Sequence, residues 1–332
     1  MAASLQLHGA ALATTMPSST VRQIQARAAL RFSFGLAADV QYANKDTEVS
    51  GSGAIRRYRE SLGKLEQAVR EWKTFAGTEM PLSFVLHLGD IIDGNVSPEV
   101  TQQDFESVAA VFDTVGPLPV YHVLGNHCLA CPREMVVARL GSLSSNGCYY
   151  SRGLGHGWRL LVLDTTEMSF HSGYGPGTEL GREAQQFYDQ HPQGEENPQI
   201  APWNGGLGSA QMRWLREELQ QASSSSESVI VAAHHPIASA RETHRAWNAK
   251  AIEELLQEHE CVKVVLTGHD HRGGYAVRGG IHFLTLEGMV EAPADSNAFA
   301  VVHVFEDAIE VHGRGVVPNR VLECIPAVKD DP

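Results

Sequence analysis

RFSFGLAADVQY, residues 31–42, begins as an apolar run and ends in polar side chains. Its first seven residues predict a buried β-strand. Asp39 follows the strand end, and Gln41 lies two residues further on. A carboxylate and a second polar side chain past the end of a buried strand suggest a metal site. Because a neutral amide is a weaker ligand than an imidazole, the role of Gln41 has to be found in the rest of the chain.

Five further apolar runs end in polar residues in the same way. They are LSFVLHLGD (82–90), LPVYHVLGNH (118–127), GWRLLVLDT (157–165), ESVIVAAHHP (227–236) and CVKVVLTGHDH (261–271). Segments with helical periodicity separate several of them. Residues 55–75 have apolar side chains at three- and four-residue spacing, and 102–115 end at Gly116-Pro117. The alternation predicts an α/β fold.

The carboxyl ends of strands in open α/β sheets form the edge at which ligands bind. One aspartate there is usually a turn residue, as we expect of Asp164, and one histidine is usually structural. Five strand ends together, however, supply Asp39, Asp90, Asn126, His127, His234, His269 and His271. Such convergence predicts a metal or catalytic cluster.

Small spacings around these residues add to that prediction. Gly89, Gly125 and Gly268 each precede a candidate ligand, where the backbone could turn sharply or approach closely. His269 and His271 lie two residues apart and would point the same way in an extended segment. One segment could then serve two metals.

Composition narrows the possible partners. The 332 residues have a net charge of −13, which argues against a nucleic-acid or anionic-membrane surface. An anionic substrate would therefore need bound cations. No apolar run is long enough to span a membrane. The five cysteines do not resemble a disulfide scaffold, and Cys128–Cys131 has CxxC spacing without a second pair, so reduced thiols are favoured over a zinc or redox motif.

The first 30 residues contain no Asp or Glu, two arginines and many Ala, Ser and Thr. This composition is typical of an organelle transit peptide or of a disordered tail. We favour a disordered N-terminal extension over 1–30, a single domain over 31–326, a cytoplasmic location and a monomer.

Five blocks of the chain resemble, in order and spacing, the calcineurin-like metallophosphoesterase superfamily over residues 32–315. The blocks are Asp39-Val40-Gln41, Gly89-Asp90 with Asp93, Gly125-Asn126-His127, His234-His235-Pro236 and Gly268-His269-Asp270-His271. The resemblance implies an α/β sandwich of two sheets, flanked by helices, with two divalent metal ions in a cleft at its top. It also implies that residues 274–325 supply strands of the second sheet.

Four longer stretches resemble one branch, the manganese-dependent ADP-ribose/CDP-alcohol diphosphatases. They are RYRESLGKLEQAVREW (57–72), WNGGLGSAQMRWL (203–215), GHDHRGGY (268–275) and LEGMVEAPADSNAFAVVHVF (286–305). Gln41, where most of the superfamily has histidine, also fits that branch, whereas SARETHRAWN (239–248) departs from it.

The resemblance implies a role for each residue. Asp39, Gln41 and His271 would hold one metal, and Asn126, His234 and His269 the other, with Asp90 bridging both. His127 would act on the phosphoryl group as a general acid or charge stabiliser, supported by Asp93, and His235 would stand behind the ligands. An amide in place of an imidazole makes the first site harder and weaker, which favours Mn²⁺.

The implied activity is hydrolysis of ADP-ribose to AMP and ribose 5-phosphate, and of CDP-alcohols such as CDP-choline to CMP and the phosphoalcohol. Alternatives are a phosphomonoesterase or cyclic-nucleotide phosphodiesterase of the same superfamily, and a non-catalytic binding module. The intact ligand set and His127 favour an enzyme. Substrate contacts are not assigned, although residues 165–208 should supply pocket loops. Candidate stacking aromatics are Phe170, Tyr174, Trp203 and Trp247.

Overall fold

Two six-stranded β-sheets form the centre of the protein. The computed structural model describes residues 29–51, 53–140 and 148–324. The first sheet contains β1 (Leu30–Ala37), β4 (Leu82–His87), β5 (Val120–His122), β12 (Ala298–Phe305), β13 (Ala308–Gly315) and β14 (Arg320–Glu323). The second contains β6 (Tyr150–Gly155), β7 (Trp158–Val162), β8 (Ser228–Ala232), β9 (Val262–Thr267), β10 (Arg272–Arg278) and β11 (Ile281–Glu287). A small hairpin, β2 (Glu48–Val49) and β3 (Ile55–Arg56), stands apart.

The strand β1 shows how the sequence builds the sandwich. Phe32 and Phe34 point to one face, where Phe34 stacks on Phe84 and the Phe32 ring lies 6.0 Å from that of Trp158 in the second sheet. The opposite face presents Gly35, because the indole of Trp72 occupies the place of a side chain there. The two sheets thus pack face to face, with a helix outside.

Six α-helices are present in the described part of the chain. They are α1 (Glu60–Thr74), α2 (Pro98–Asp113), α3 (Arg133–Leu140), α4 (Glu179–Gln190), α5 (Ser209–Ser224) and α6 (Ala249–Gln257). The helix α1 covers the first sheet, where Trp72 donates to the Ala300 carbonyl at 3.1 Å. Apolar residues of α5 and α6 pack on the second sheet. The predicted two-sheet α/β fold is confirmed.

Three predictions of element position need correction. The helix predicted from residue 55 begins at Glu60, because Ile55 and Arg56 pair with the strand β2. The next helix begins at Pro98, four residues before its predicted start, since Ser97 accepts from the Val100 amide as an N-cap. Residues 274–325 do not all join one sheet: β10 and β11 extend the second, whereas β12 pairs with β1 in the first.

The sheet topology brings the predicted strand ends together. In the first sheet β1 is parallel to β4, and β4 to β5. In the second, β7, β8 and β9 are mutually parallel. The carboxyl ends of each set of three therefore lie together, and the hydrogen bond from Nδ1 of His234, after β8, to the Leu88 carbonyl, after β4, places both sets at one edge of the sandwich.

The predicted N-terminal extension lies outside the described residues, apart from Ala29 and Leu30, as does the end of the predicted domain after Cys324. All five cysteines are free. None of the helices within the described ranges combines the length and the apolar character that crossing a membrane requires.

Candidate metal centre

The polar residues at the strand ends converge as the sequence predicted. Single ligand atoms of Asp39, Asp90 and His234 lie within 4.8 Å of one another, and the same holds for His234, His235 and His269. Both carboxylates are fully buried. Two buried negative charges so close together are costly unless a cation or hydrogen-bond donors compensate them.

The backbone is strained at this cluster. Six non-glycine residues in the described part of the chain have positive φ, and four of them belong to the cluster: Asp39 (51°), Gln41 (39°), Asp90 (55°) and His269 (67°). Each such residue costs about 1–3 kcal/mol and persists only where its surroundings enforce it. Main-chain hydrogen bonds do so here, from the Asp39 amide to Gly89 and from the Gln41 amide to Asp90.

The three glycines predicted to allow close approach do so. A Cβ atom added to Gly125 would lie 2.1 Å from Oδ1 of Asp90, and one added to Gly268 would lie 2.6 Å from Oδ2 of Asp39. At Gly89, which has a φ of 99°, it would lie 2.5 Å from Nδ1 of His234. The ligand side chains therefore pack directly against backbone.

Gly125→Ala should displace the Asp90 carboxylate, because the new methyl group occupies its place. We expect a loss of Mn²⁺ affinity of about tenfold or more, as for groups that orient ligands, measured by calorimetric titration. Gly153→Ala is the matched control, since Gly153 has open space around its Cβ position. Equal Mn²⁺ affinity of the two variants would contradict the steric role of Gly125.

Hydrogen bonds set the tautomers of two histidines. Nδ1 of His234 donates to the Leu88 carbonyl at 2.9 Å, so Nε2, which lies 3.2 Å from Oδ2 of Asp90 and 3.2 Å from Oδ1 of Asn126, is free to bind a cation. Nδ1 of His271 lies 2.8 Å from Oε1 of Glu291, and its Nε2 lies 3.4 Å from Oδ1 of Asp39. Carboxylates behind imidazoles orient metal ligands in this way.

Glu291 was not predicted from the sequence. It lies in a 3₁₀ turn, residues Met289–Glu291, and belongs to a stretch that the family resemblance singled out without a role. Only its contact with Nδ1 of His271 indicates that it orients this imidazole.

The electrostatics of the cluster favour a bound cation. Burial would raise the pKa of Asp90, but the imidazoles of His234 and His127 outweigh it and hold that pKa below its usual range. Burial would lower the pKa of His271, yet Asp39 and Glu291 raise it to about 10. A cation that binds this histidine must displace a proton, so the affinity of the site for the cation should rise with pH.

The donor set fits two divalent metal ions. The Gln41 Nε2 donates to Oδ2 of Asp90 at 3.0 Å, while Oε1 of Gln41 is buried and has no hydrogen-bond partner among the described residues. A buried, unpaired oxygen on an amide that bonds Asp90 is an available ligand. With Asn126 and three imidazoles, the cluster offers the mixture of oxygen and nitrogen donors that suits Mn²⁺.

His127 stands at the rim of the cluster. It begins a 3₁₀ turn, His127–Ala130, where its amide donates to Oδ1 of Asp90 at 2.8 Å. Its Nδ1 lies 3.0 Å from the Asp93 carbonyl and 3.3 Å from Oδ1 of Asp93. Lys45 holds the same carboxylate at 2.6 Å. Nδ1 of His127 is thus engaged by Asp93, and the imidazole is partly exposed.

Two expectations differ from what the structure contains. Asp164 accepts from the Thr166 amide at 2.9 Å, as a turn residue does, but it also forms a buried ion pair with Arg133 at 2.6 Å. His269 and His271 do not lie in an extended segment: residues 268–271 form a tight turn in which the Asp270 amide donates to Gly268. The turn directs the two imidazoles to different neighbours.

His235 lies next to His234 and His269 in the cluster. Its Nδ1 lies 2.8 Å from Oγ1 of Thr165, and its ring centroid lies 4.3 Å from that of His269. Burial, and then the charge of His234, lowers the pKa of His235 well below the usual range. The imidazole is therefore neutral.

Two of the four candidate aromatics offer surface to a ligand. Phe170 and Trp203 are each 45% exposed, whereas Trp247 is buried. The Tyr174 ring lies against the Arg133 guanidinium, 4.8 Å away. Of the four candidates, Phe170 and Trp203 therefore have the most exposed rings.

Comparisons with known proteins point to one family. Residues 32–273 match the calcineurin-like phosphoesterase family. A mouse protein named manganese-dependent ADP-ribose/CDP-alcohol diphosphatase is 33% identical, with 88% of this chain and 93% of that protein aligned. An Arabidopsis thaliana protein of the same name is also 33% identical, over 85% and 94%. The crystal structure of a dimetal phosphatase from Danio rerio superposes with a TM-score of 0.82 at 29% identity, over 90% of this chain and 100% of that one.

Proposed function

Since the chain belongs to the calcineurin-like phosphoesterase family, we propose that it is a manganese-dependent hydrolase of pyrophosphate bonds. Its substrates would be ADP-ribose, giving AMP and ribose 5-phosphate, and CDP-alcohols such as CDP-choline, giving CMP and the phosphoalcohol. The observation that carries the proposal is the Gln41 amide, buried beside Asp90 with its oxygen unpaired. The names of the relatives that are one third identical support the substrate class.

The residues would divide between two ions. Asp39, Gln41 and His271 would hold one, and Asn126, His234 and His269 the other, with Asp90 between them. Two such ions, when bound, supply a water acidic enough to attack at neutral pH and positive charge for the phosphoryl oxygens. Gln41 contributes a neutral oxygen where an imidazole would bind Zn²⁺ or Cu²⁺ more tightly, so the set favours Mn²⁺.

The protein side chains would handle the leaving group. Nδ1 of His127 faces the backbone carbonyl and side chain of Asp93, which fixes the orientation of the ring. Nε2–H can then donate to the oxygen that leaves, as a general acid. Lys45, bound to the other carboxylate oxygen, keeps Asp93 in place.

Recognition of the nucleoside would use the exposed rings of Phe170 and Trp203. Stacking on an aromatic ring contributes about 0.5–1.5 kcal/mol to binding, in addition to the contribution of the apolar area that is buried. The Phe170 ring is braced by Tyr188 and Trp247, at centroid distances of 4.8 and 5.4 Å. We also propose that the protein acts as a monomer in the cytoplasm, on a small-molecule substrate and without nucleic acid or membrane.

A substrate panel tests the proposal. Purified protein, stripped with a chelator and reloaded with Mn²⁺, should hydrolyse ADP-ribose and CDP-choline and lose the activity again on chelation. Mg²⁺ and Zn²⁺ should restore less activity than Mn²⁺. Preferential turnover of a phosphomonoester or a cyclic nucleotide would favour the alternative enzymes, and no turnover of any substrate would favour a binding module.

A further inference from the structure

We propose that Asn204 is a positioning residue that places the ring proton of His269 on Nε2 and so leaves Nδ1 as the metal-binding atom. The inference rests on the proposed metal centre and assigns a role to a residue outside the ligand set. Asn204 is fully buried, and its Oδ1 lies 2.8 Å from Nε2 of His269.

The orientation of the Asn204 amide follows from its other partners. Its Nδ2 lies 2.9 Å from the Gln199 carbonyl and 2.8 Å from the Thr243 carbonyl. Both are acceptors, so the amino group must face them and the oxygen must face His269. Oδ1 can only accept, and Nε2 of His269 must therefore donate.

The tautomer of His269 is the reverse of that of the neighbouring ligands. His234 and His271 donate through Nδ1, which leaves Nε2 for a cation. His269 donates through Nε2, so Nδ1 is the ring nitrogen with a free lone pair. If the ring proton moved from Nε2 to Nδ1, His269 would lose both its hydrogen bond to Asn204 and the lone pair that binds the metal.

The local backbone holds Asn204 in place. A Cβ atom on Gly205 would lie 2.4 Å from the Thr165 carbonyl, and one on Gly206 would lie 2.5 Å from Oδ1 of Asn248. Only glycine permits this packing. The same turn carries Trp203, whose exposed ring we assign to the substrate, so one turn connects substrate recognition to a metal ligand.

Two variants distinguish an effect of Asn204 on the His269 tautomer from an effect on the attachment of the loop that carries Asn204. Asn204→Asp keeps an acceptor for His269 but loses both donor bonds, whereas Asn204→Ala loses all three contacts. Asn248→Ala is the matched control: Asn248 is an amide of the same region that bonds the Leu207 amide and carbonyl, at 3.1 and 2.8 Å.

Nitrogen NMR of the metal-free protein reports the tautomer directly. We expect protonated Nε2 at His269 in the wild type, in Asn204→Asp and in Asn248→Ala, and a mixture of tautomers in Asn204→Ala. Titration with Mn²⁺ should show one of two ions bound about 10–100-fold more weakly in Asn204→Ala. Asn204→Asp should recover most of that affinity.

The outcomes distinguish this inference from the proposed function. Protonated Nδ1 in the wild type, or unchanged tautomer and Mn²⁺ affinity in Asn204→Ala, would overturn the role of Asn204 while turnover of ADP-ribose could stand. Equal loss in Asn204→Asp and Asn204→Ala would mean that Asn204 only attaches the loop. If the wild type binds two Mn²⁺ but hydrolyses no pyrophosphate, the proposed function fails and the role of Asn204 is kept.

Discussion

Asp90→Asn should abolish hydrolysis, lowering kcat/KM by at least about 10³-fold. Asp90 is fully buried, and its Oδ2 lies against a side chain of each proposed ligand set: Gln41 at 3.0 Å, and His234 at 3.2 Å. A metal ion contributes several kcal/mol of charge stabilisation in the transition state, and each 1.36 kcal/mol is a factor of ten in rate. In the proposed centre Asp90 would be a ligand of both ions, and a neutral amide in its place would bind them more weakly. Activity and Mn²⁺ content should therefore fall together.

The control tests whether the loss of a buried carboxylate outside the cluster has the same effect. Asp104 is also buried and accepts from the Asn95 side chain at 2.8 Å, away from the cluster. Asp104→Asn should keep two Mn²⁺ and near wild-type turnover. Added Mn²⁺ should raise the melting temperature of the wild type and of Asp104→Asn, but not of Asp90→Asn, because ligand binding to the folded state stabilises it. Two tightly bound Mn²⁺ in Asp90→Asn would refute the bridging role.

The predicted ligands came from the sequence because each follows a strand with a clear apolar pattern. Asp39, Asp90 and His234 follow the ends of β1, β4 and β8 by two or three residues, and the ends of parallel strands lie at one edge of a sheet. The glycines before Asp90 and His269 were equally visible, since a backbone that must approach a side chain has few alternatives to glycine.

The supporting residues were not predictable in the same way. Glu291 and Asn204 lie in irregular segments, and nothing in their own neighbourhood marks them as polar groups that face an imidazole. Their roles arise from tertiary packing, which places them 2.8 Å from His271 and 2.8 Å from His269. No periodicity records such a contact.

Strand order is also a tertiary property. The strand β6 was not recognised because its sequence, YSRGLG, is half-exposed and rich in glycine, and it forms by pairing with β7. Likewise, the apolar run AFAVVHVF predicts a strand but not its sheet. It joins the first sheet because β1 leaves a free edge that β12 fills in antiparallel register.

The structure around Gln41 indicates that this residue has a role. Its positive φ, its bond to Asp90 and its unpaired oxygen all belong to a residue that the fold holds under strain in a buried place. Strain of about 1–3 kcal/mol is kept where function requires it. A bystander could relax by turning its side chain to solvent, whereas this one faces the carboxylate that both proposed ions would share.

His127→Ala should lower kcat by about 10²–10⁴-fold, the usual contribution of a general acid, while two Mn²⁺ remain bound. The reason is geometric: Nδ1 is occupied by Asp93 at 3.0 Å and Nε2 is left for the leaving oxygen. The kcat for a substrate with a good leaving group, such as a nitrophenyl ester, should fall less than the kcat for a substrate with a poor leaving group. Asp93→Asn should show a smaller loss of the same kind, since in the proposed mechanism Asp93 acts through His127.

A distant histidine provides the control for His127. His312 is half-exposed and also lies beside a carboxylate, with Nε2 3.0 Å from Oε2 of Glu310, but it stands on β13 in the first sheet. His312→Ala should therefore leave kcat and Mn²⁺ content unchanged. If His127→Ala instead lost Mn²⁺ in proportion to its activity, His127 would be part of the metal-binding structure. If it lost equal activity on good and poor leaving groups, it would stabilise charge without donating a proton, because only proton donation depends on the basicity of the oxygen that leaves.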